Sequence, residues 1–143
     1  MKKITIFFII IILIICAIFA MYINYKANYN ISKKSNLAFE KYLNEEISGT
    51  ELATVINRAI DRNEKNEVNK NNKGIYQNNN KNSINIEIKM LDNDSIYQME
   101  TIYNGGIPNF INFYNNIKFK CTEIKYHNYT NQVKYMLFEQ TTT

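Results

Sequence analysis

The first feature along the chain is an unbroken apolar run close to its N-terminus. Residues 4–23 contain twenty consecutive side chains without a charge, most of them Ile and Phe. As an α-helix at ~1.5 Å per residue, this run is ~30 Å long, which is the thickness of the hydrocarbon core of a bilayer. Lipid offers no hydrogen-bond partners to the backbone, so such a segment must be helical. The pattern predicts a transmembrane signal-anchor over residues 1–24.

Charged and aromatic residues beside this run predict its orientation. Lys2 and Lys3 precede it, and basic flanks of a span stay in the cytoplasm. Tyr22, Tyr25 and Tyr29 follow it, where an aromatic belt would meet the membrane interface. We therefore expect a single-pass protein of the cell membrane with a cytoplasmic N-terminus and an extracytoplasmic C-terminal part.

Two alternatives for the apolar run also export the rest of the chain. A signal peptidase would cut best after Ala20, although Ile18 is larger than the residue usual at that site. Cys16 would carry the lipid of a lipoprotein anchor, but Ile15 precedes it where a small residue is expected. An uncleaved anchor is preferred because the run is longer than a typical signal-peptide core.

Residues 25–47 are interpreted as a juxtamembrane stem. Their first half is rich in Asn and Ser and forms helices poorly, whereas the second half is a better helix former. The apolar residues of the second half fall on roughly one side of a helix, and they are Leu37, Ala38, Phe39, Tyr42 and Leu43. The transmembrane helix can continue through the stem.

An extracytoplasmic domain is predicted over residues 48–143. It starts with a capping box, in which the Ser48 hydroxyl and the Glu51 carboxylate each accept a hydrogen bond from a backbone N–H. The apolar residues that follow recur at helical spacing and predict one buried stripe: Leu52, Val55, Ile56, Ala59 and Ile60. Residues 63–82 are polar and low in complexity, and predict either a flexible loop or a small hairpin that pairs Val68 with Ile75 and Tyr76.

The rest of the domain reads as two hairpins separated by a short helix. Residues 84–90 alternate between Ile or Met and polar side chains, which predicts a half-buried strand. A turn at 92–95 leads to a partner strand at 96–103, and Pro108 begins a short helix whose predicted buried face is Phe110, Ile111, Phe113 and Tyr114.

Residues 117–126 and 133–140 form the last hairpin. The apolar positions change parity after Cys121, which predicts a β-bulge near Thr122–Glu123. The predicted class is α+β with a small antiparallel sheet.

Composition and charge narrow the functions that the chain can have. The net charge is +4, and it is +2 without Lys2 and Lys3. The remaining basic residues are scattered along the sequence, so a nucleic-acid partner is not expected. A general attraction of these residues to anionic lipid or cell-wall polymer is one interpretation. The preferred interpretation is that the lysines are solvated on the surface.

No catalytic, cofactor-binding or metal-binding residues are predicted. Cys121 and His127 invite comparison with a thiol–imidazole pair, but six residues along a strand separate them by ~20 Å. One His and one exported Cys are too few for zinc, and Asp92–Ser95 lacks the longer loop of a calcium site. Gly105–Gly106 matches no nucleotide-binding fingerprint. The protein is therefore expected not to be an enzyme, and no small-molecule substrate or cofactor is evident.

The eleven tyrosines suggest protein contacts, because Tyr offers contact area with a polar tip. The competing interpretation is core packing, together with an Asn-, Lys-, Ile- and Tyr-rich composition typical of AT-rich genomes.

An apolar N-terminal helix that leads through a stem to a helix and an antiparallel sheet resembles the plan of type IV pilin-like and pseudopilin-like subunits. Those families carry a basic leader that ends in Gly and a Glu shortly after it, whereas residues 4–23 contain neither. The resemblance implies a structural subunit of an envelope assembly. The preferred hypothesis is a membrane-anchored accessory domain whose partner is another envelope protein or a second copy. An enzyme with scattered site residues is the third alternative.

Overall fold

The computed structural model describes residues 2–92 and 95–142, which form helices and strands of an α+β fold. The helices are α1 (Lys2–Glu40), α2 (Gly49–Lys65), α3 (Met99–Asn104) and α4 (Ile107–Tyr114). The strands are β1 (Glu46–Ser48), β2 (Asn85–Lys89), β3 (Ile96–Gln98), β4 (Lys118–Tyr126) and β5 (Val133–Gln140). The predicted class is confirmed.

Helix α1 is the longest element, with 39 residues and a length of about 58 Å. Its most apolar 18-residue window has a mean hydropathy of 3.3, and none of that window is buried. The helix is therefore long and apolar enough to cross a membrane. It also continues without a break through most of the predicted stem, including the Asn- and Ser-rich half with low helix propensity.

The buried side of the stem differs from the predicted one. Leu37 is 60% exposed, and Leu43 lies beyond the end of the helix. Phe39 and Tyr42 are buried as predicted. Ser32 and Asn36 are buried as well, and with Phe39 they occupy the i, i+4 and i+7 positions of one helical face. The polar pair was missed because its hydrogen-bond partners are far away in the sequence.

Helix α2 begins and packs as predicted. The capping box of Ser48 and Glu51 is present, and the whole predicted stripe is buried. The helix extends to Lys65, three residues into the range predicted as loop. Asn63 explains the extension, because its side-chain amide binds both the N–H and the carbonyl oxygen of Ile84, at 2.8 and 2.7 Å. In the following segment Tyr76 forms an antiparallel bridge with Lys70, so a small hairpin is present, but Lys70 takes the place predicted for Val68.

All five strands belong to one sheet, in the order β1-β4-β5-β2-β3. The two predicted hairpins are adjacent through β2 and β5, which are parallel, while the other three pairings are antiparallel. The expectation of a purely antiparallel sheet is thus corrected. Strand β1, whose first two residues were assigned to the stem, pairs with β4 at one edge.

The predicted bulge in β4 is confirmed. The pairing with β5 shifts between Cys121 and Glu123. Cys121 is fully buried, and Glu123 lies on the other face of the sheet opposite Leu137. The extra residue lets β4 keep its apolar side chains in one core despite the change of parity.

The predicted partner strand at 96–103 is mostly wrong. It pairs only over Ile96–Gln98, and the chain then forms α3. Met99 and Ile102 are buried at helical spacing, and Glu100 lies in the first helical turn, where a carboxylate stabilises the helix. These were the signals for a helix. The predicted turn at 92–95 includes Asn93 and Asp94, which lie outside the described residues.

Helix α4 starts at Ile107 with Pro108 in its first turn, as predicted. Phe110 is buried and stacks on Tyr114, with ring centroids 4.9 Å apart. Phe113, predicted to be buried, is 79% exposed. The end of α4 lies directly against Gly49, where an added Cβ would be 2.0 Å from the Tyr114 carbonyl oxygen. A side chain at residue 49 would force α2 and α4 apart.

Candidate interaction surface

Cys121 and His127 are both buried in the interior of the domain. Cys121 is completely buried in the core, and burial raises the pKa of its thiol to about 11. The His127 ring is buried and bonds through Nε2 to the Ser83 carbonyl oxygen at 2.7 Å. Burial lowers the pKa of His127, the bond to the Ser83 carbonyl oxygen opposes this in part, and the charges of Lys134 and Arg62 add to the lowering. Neither side chain is placed as a nucleophile or a base.

The other chemical candidates occupy ordinary structural positions. Among the described residues, 2–92 and 95–142, no group of three or more His, Cys, Asp or Glu side chains could hold a metal ion. Gly105 and Gly106 form the connection between α3 and α4, and Gly106 has a positive φ of 95°. That conformation accounts for a glycine at this position.

The tyrosines divide between core and surface. Tyr42 and Tyr76 are buried, whereas Tyr129 is 90% exposed and Tyr25 is 70% exposed. Tyr135 is half-buried, and its hydroxyl donates to Glu87 at 2.9 Å. Burial, followed by the bond to Glu87, raises the pKa of Tyr135. Core packing therefore accounts for Tyr42 and Tyr76, while protein contact by the exposed tyrosines stays a prediction.

The lower part of α1, which we define as residues 25–40, is bonded directly to the tip of the β4–β5 hairpin. The Asn36 side chain donates to the Asn131 carbonyl oxygen at 2.8 Å and accepts from the Val133 N–H at 2.9 Å. The Ser32 hydroxyl donates to the carbonyl oxygen of Thr130. Because Asn36 saves a buried amide of β5 from being unpaired, this contact couples the helix to the sheet.

Two arginines of α2 complete the attachment of α1. Arg58 donates to the Ala38 carbonyl oxygen at 3.1 Å, and Arg62 donates to that of Ser35 at 3.3 Å. The Arg62 guanidinium also bonds to Gln132 at 2.6 Å and lies 5.8 Å from the centroid of the Phe39 ring. Helix α1 and the domain are joined by side chains from α2 and from the hairpin, in addition to the connecting chain.

The sheet has one face packed on helices and an outer face, which we define by the outward side chains of its strands. The outer-face residues are half-buried or exposed and carry both charges, with Lys120 opposite Glu46 and Glu139 and with Lys89 opposite Glu139. They are Glu46, Lys120, Glu123, Lys125, Tyr135, Leu137, Glu139, Asn85, Glu87, Lys89, Ile96 and Gln98. The described helices pack on the opposite, apolar face.

Polar contacts fix the side chains of the outer face. Glu87 accepts from Tyr135 at 2.9 Å and from Gln98 at 2.8 Å, so one carboxylate joins β5, β2 and β3. Lys89 pairs with Glu139 at 3.8 Å. The Lys125 ammonium lies 4.8 Å from the centroid of the Tyr135 ring. Such an ordered, mixed-charge surface loses little side-chain entropy when another protein covers it.

A small cleft lies at one end of the outer face. It has a volume of about 140 Å³ and is lined by residues that include Ser83, Asn85, Lys134 and Tyr135. The Asn85 Oδ1 atom is buried without a hydrogen-bond partner. This volume is below that of typical small-molecule sites.

No family model, no curated protein and no solved structure matches this chain. The resemblance to pilin-like subunits therefore stays a prediction, and the function must be argued from the fold and its surfaces.

Proposed function

We propose that this protein is a non-enzymatic accessory domain, anchored in the cell membrane by α1, that binds another envelope protein through the outer face of its sheet. The N-terminus lies in the cytoplasm and the domain is extracytoplasmic, as Lys2 and Lys3 before the span favour. The observation that carries the proposal is a helix long and apolar enough to span a membrane, bonded to a sheet with one face that the described helices leave uncovered.

The joint between α1 and the domain supports this role. A flexible tether would let the domain sample many orientations, whereas the bonds of Ser32, Asn36 and Arg62 hold the sheet at one height and angle relative to the span. A membrane anchor also raises the effective concentration of the domain towards a partner in the same membrane. Both effects suit a surface that recognises a neighbouring membrane protein.

In vivo photocrosslinking tests the proposal. A photoreactive phenylalanine analogue replaces Leu137, at the centre of the outer face, or Asp61, exposed on the solvent side of α2. We expect a crosslinked species of one discrete mass from position 137 and none from position 61. Crosslinks from both positions, or monomer alone from both, would contradict a partner on the outer face.

A separate measurement tests the topology. A protease added to intact protoplasts should digest the domain and leave a short N-terminal fragment. Protection in protoplasts, with digestion in inverted vesicles, would show the opposite orientation and overturn the extracytoplasmic assignment.

A second candidate is a pilin-like structural subunit, which is favoured by the continuation of α1 from the span onto the sheet. The lower part of one 39-residue helix packs on the domain while its apolar part stays uncovered. Mass spectrometry of the mature protein separates the candidates. An intact Met1 and no polymer in sheared surface fractions would favour the accessory domain, and a processed, polymeric form would favour the subunit.

A further inference from the structure

The end of the domain nearest to the membrane can be identified from its contacts with α1. Residues 44, 36 and 32 of the α1 side contact residues 121, 131 and 130 of the hairpin, respectively. Residues of α1 that lie closer to its apolar part therefore contact residues that lie closer to the β4–β5 loop. We call residues 26–34, 78–83 and 127–134 the membrane-proximal tip.

The loop that precedes β2 belongs to the same tip. The Thr130 hydroxyl donates to the carbonyl oxygen of Lys81, and His127 bonds to that of Ser83. Lys134 lines a shallow depression of about 50 Å³ together with Asn80, His127 and Tyr129. Three segments that are distant in sequence thus form one surface.

This tip has a strong excess of positive charge. It contains Lys26, Lys33, Lys34, Lys81 and Lys134 and no Asp or Glu. The exported chain carries fifteen basic and thirteen acidic residues, so the part outside the tip has ten basic against thirteen acidic residues. Without Lys2 and Lys3, the chain therefore has a net charge of +5 at the tip and −3 elsewhere. Glu67 lines a neighbouring depression together with Lys81, so it offsets part of the charge of that lysine.

The height of the tip above the bilayer follows from helix geometry. Ser32 is nine residues beyond Ile23, so its hydrogen bond to Thr130 is roughly 14 Å above the edge of the hydrocarbon core. The headgroup layer occupies roughly 5–8 Å of that distance. The remaining gap is comparable to the Debye length of ~8 Å in physiological salt, so charges at the tip act on the lipid surface.

Tyr129 is the most exposed aromatic residue of the domain. Its side chain is 90% exposed beside Thr130, at the turn of the hairpin. Aromatic side chains with a polar end favour the membrane interface. An exposed Tyr beside Lys134 has the chemistry of a headgroup-binding surface.

We propose that the membrane-proximal tip binds the anionic phospholipid headgroups of the bilayer that α1 spans, and so holds the domain against the membrane. The lysines supply charge attraction across the remaining gap, Tyr129 presents an exposed aromatic ring with a polar end to the headgroup layer, and the bonds of Ser32 and Asn36 hold the tip at this height. This inference rests on the membrane anchorage proposed above, but not on the protein partner of the outer face.

The test uses the full chain in lipid nanodiscs. The protein contains no Trp, so Tyr129→Trp introduces a single fluorescent reporter at the tip. Quenching is measured with a lipid that carries a nitroxide on its headgroup, in phosphatidylcholine discs with and without phosphatidylglycerol. We expect stronger quenching and a shift to shorter wavelength in the anionic discs, and loss of both effects at about 0.5 M salt.

Matched variants assign the effect to the tip. In the Tyr129→Trp background, Lys81→Gln with Lys134→Gln should abolish the difference between the two kinds of disc. Lys118→Gln with Lys120→Gln removes the same charge at the opposite end of β4 and should leave the difference unchanged. Phe113→Trp, in a separate protein, places an exposed reporter on α4 and should not be quenched in either disc.

Each other outcome contradicts a defined part of the inference. Equal quenching in both discs, or none, overturns headgroup binding at the tip. Equal sensitivity to both lysine pairs overturns its assignment to these residues. If glycerol phosphate reduced the quenching more than chloride of equal ionic strength did, the site would be assigned to a soluble or polymeric phosphate instead of the bilayer. Loss of the chain from the discs would refute the anchorage and hence the proposed function.

Discussion

The two parts of α1 share one helix but have opposite surroundings. The apolar part, residues 4–23, is exposed along its length and makes no buried contact in the described chain. The lower part buries Ser32, Asn36 and Phe39 against the domain. The apolar part is long and apolar enough to cross a membrane, whereas the lower part depends on a few specific hydrogen bonds and one aromatic ring.

The comparison shows that helix propensity did not decide where α1 ends. The segment with Asn and Ser has poor propensity but provides side chains that bond to the hairpin backbone, and tertiary contacts override weak intrinsic preferences. Polar residues on a helix between a membrane and a domain can therefore form a rigid joint, because backbone groups at a hairpin tip need partners.

The largest expected effect is the loss of the Phe39 ring. Phe39 is 1% exposed, so Phe39→Ala should lower the free energy of unfolding of the domain by about 3–5 kcal/mol. Urea unfolding of the full chain in detergent, followed by near-UV circular dichroism, measures this. Leu37→Ala, two residues away and 60% exposed, is the control and should change the free energy by less than about 0.5 kcal/mol.

The next effect comes from the polar joint. Asn36→Ala leaves the buried Val133 N–H and the Asn131 carbonyl oxygen without their partner, so we expect a loss of about 2–3 kcal/mol. Hydrogen exchange should become faster at the Val133 amide. Asn30→Ala on the exposed side of α1 is the matched control. Equal losses from both variants would show that the joint is not specific.

A smaller, pH-dependent effect should come from His127. Burial keeps its pKa below that of an unfolded histidine, so the folded state disfavours the proton. Its contribution to stability is complete above about pH 6.5 and is lost as the pH falls through the lower pKa of the folded state. NMR titration of the single histidine measures that pKa directly, and a value above 6.5 would contradict the burial argument.

The smallest effect is expected in the apolar part of α1. Leu13→Ala should change the unfolding free energy of the domain by less than about 0.5 kcal/mol, since Leu13 is 63% exposed and contacts no part of the domain core. The same urea titration in detergent provides the measurement. A loss comparable to that of Asn36→Ala would show that the two parts of α1 are coupled.

Local patterns predicted those parts of the fold that depend on a single element. The capped start of α2, the alternation of β2 and the bulge in β4 follow from spacing between nearby residues. The α3 region was misassigned because Ile96 and Met99 fit both a strand and a helix over so short a range. Phe113 was misplaced because a two-turn helix buries only one narrow stripe.

The amino-acid sequence by itself determined the apolar span, the class of the domain and most of its elements, because hydrophobic periodicity reports the faces of an element directly. Only the tertiary structure decided the parallel pairing of β2 with β5, the attachment of α1 through Ser32 and Asn36, and the gathering of five lysines into one tip. Those features join residues up to about a hundred positions apart. Which distant segments meet depends on the packing of the whole chain, and no local spacing encodes it.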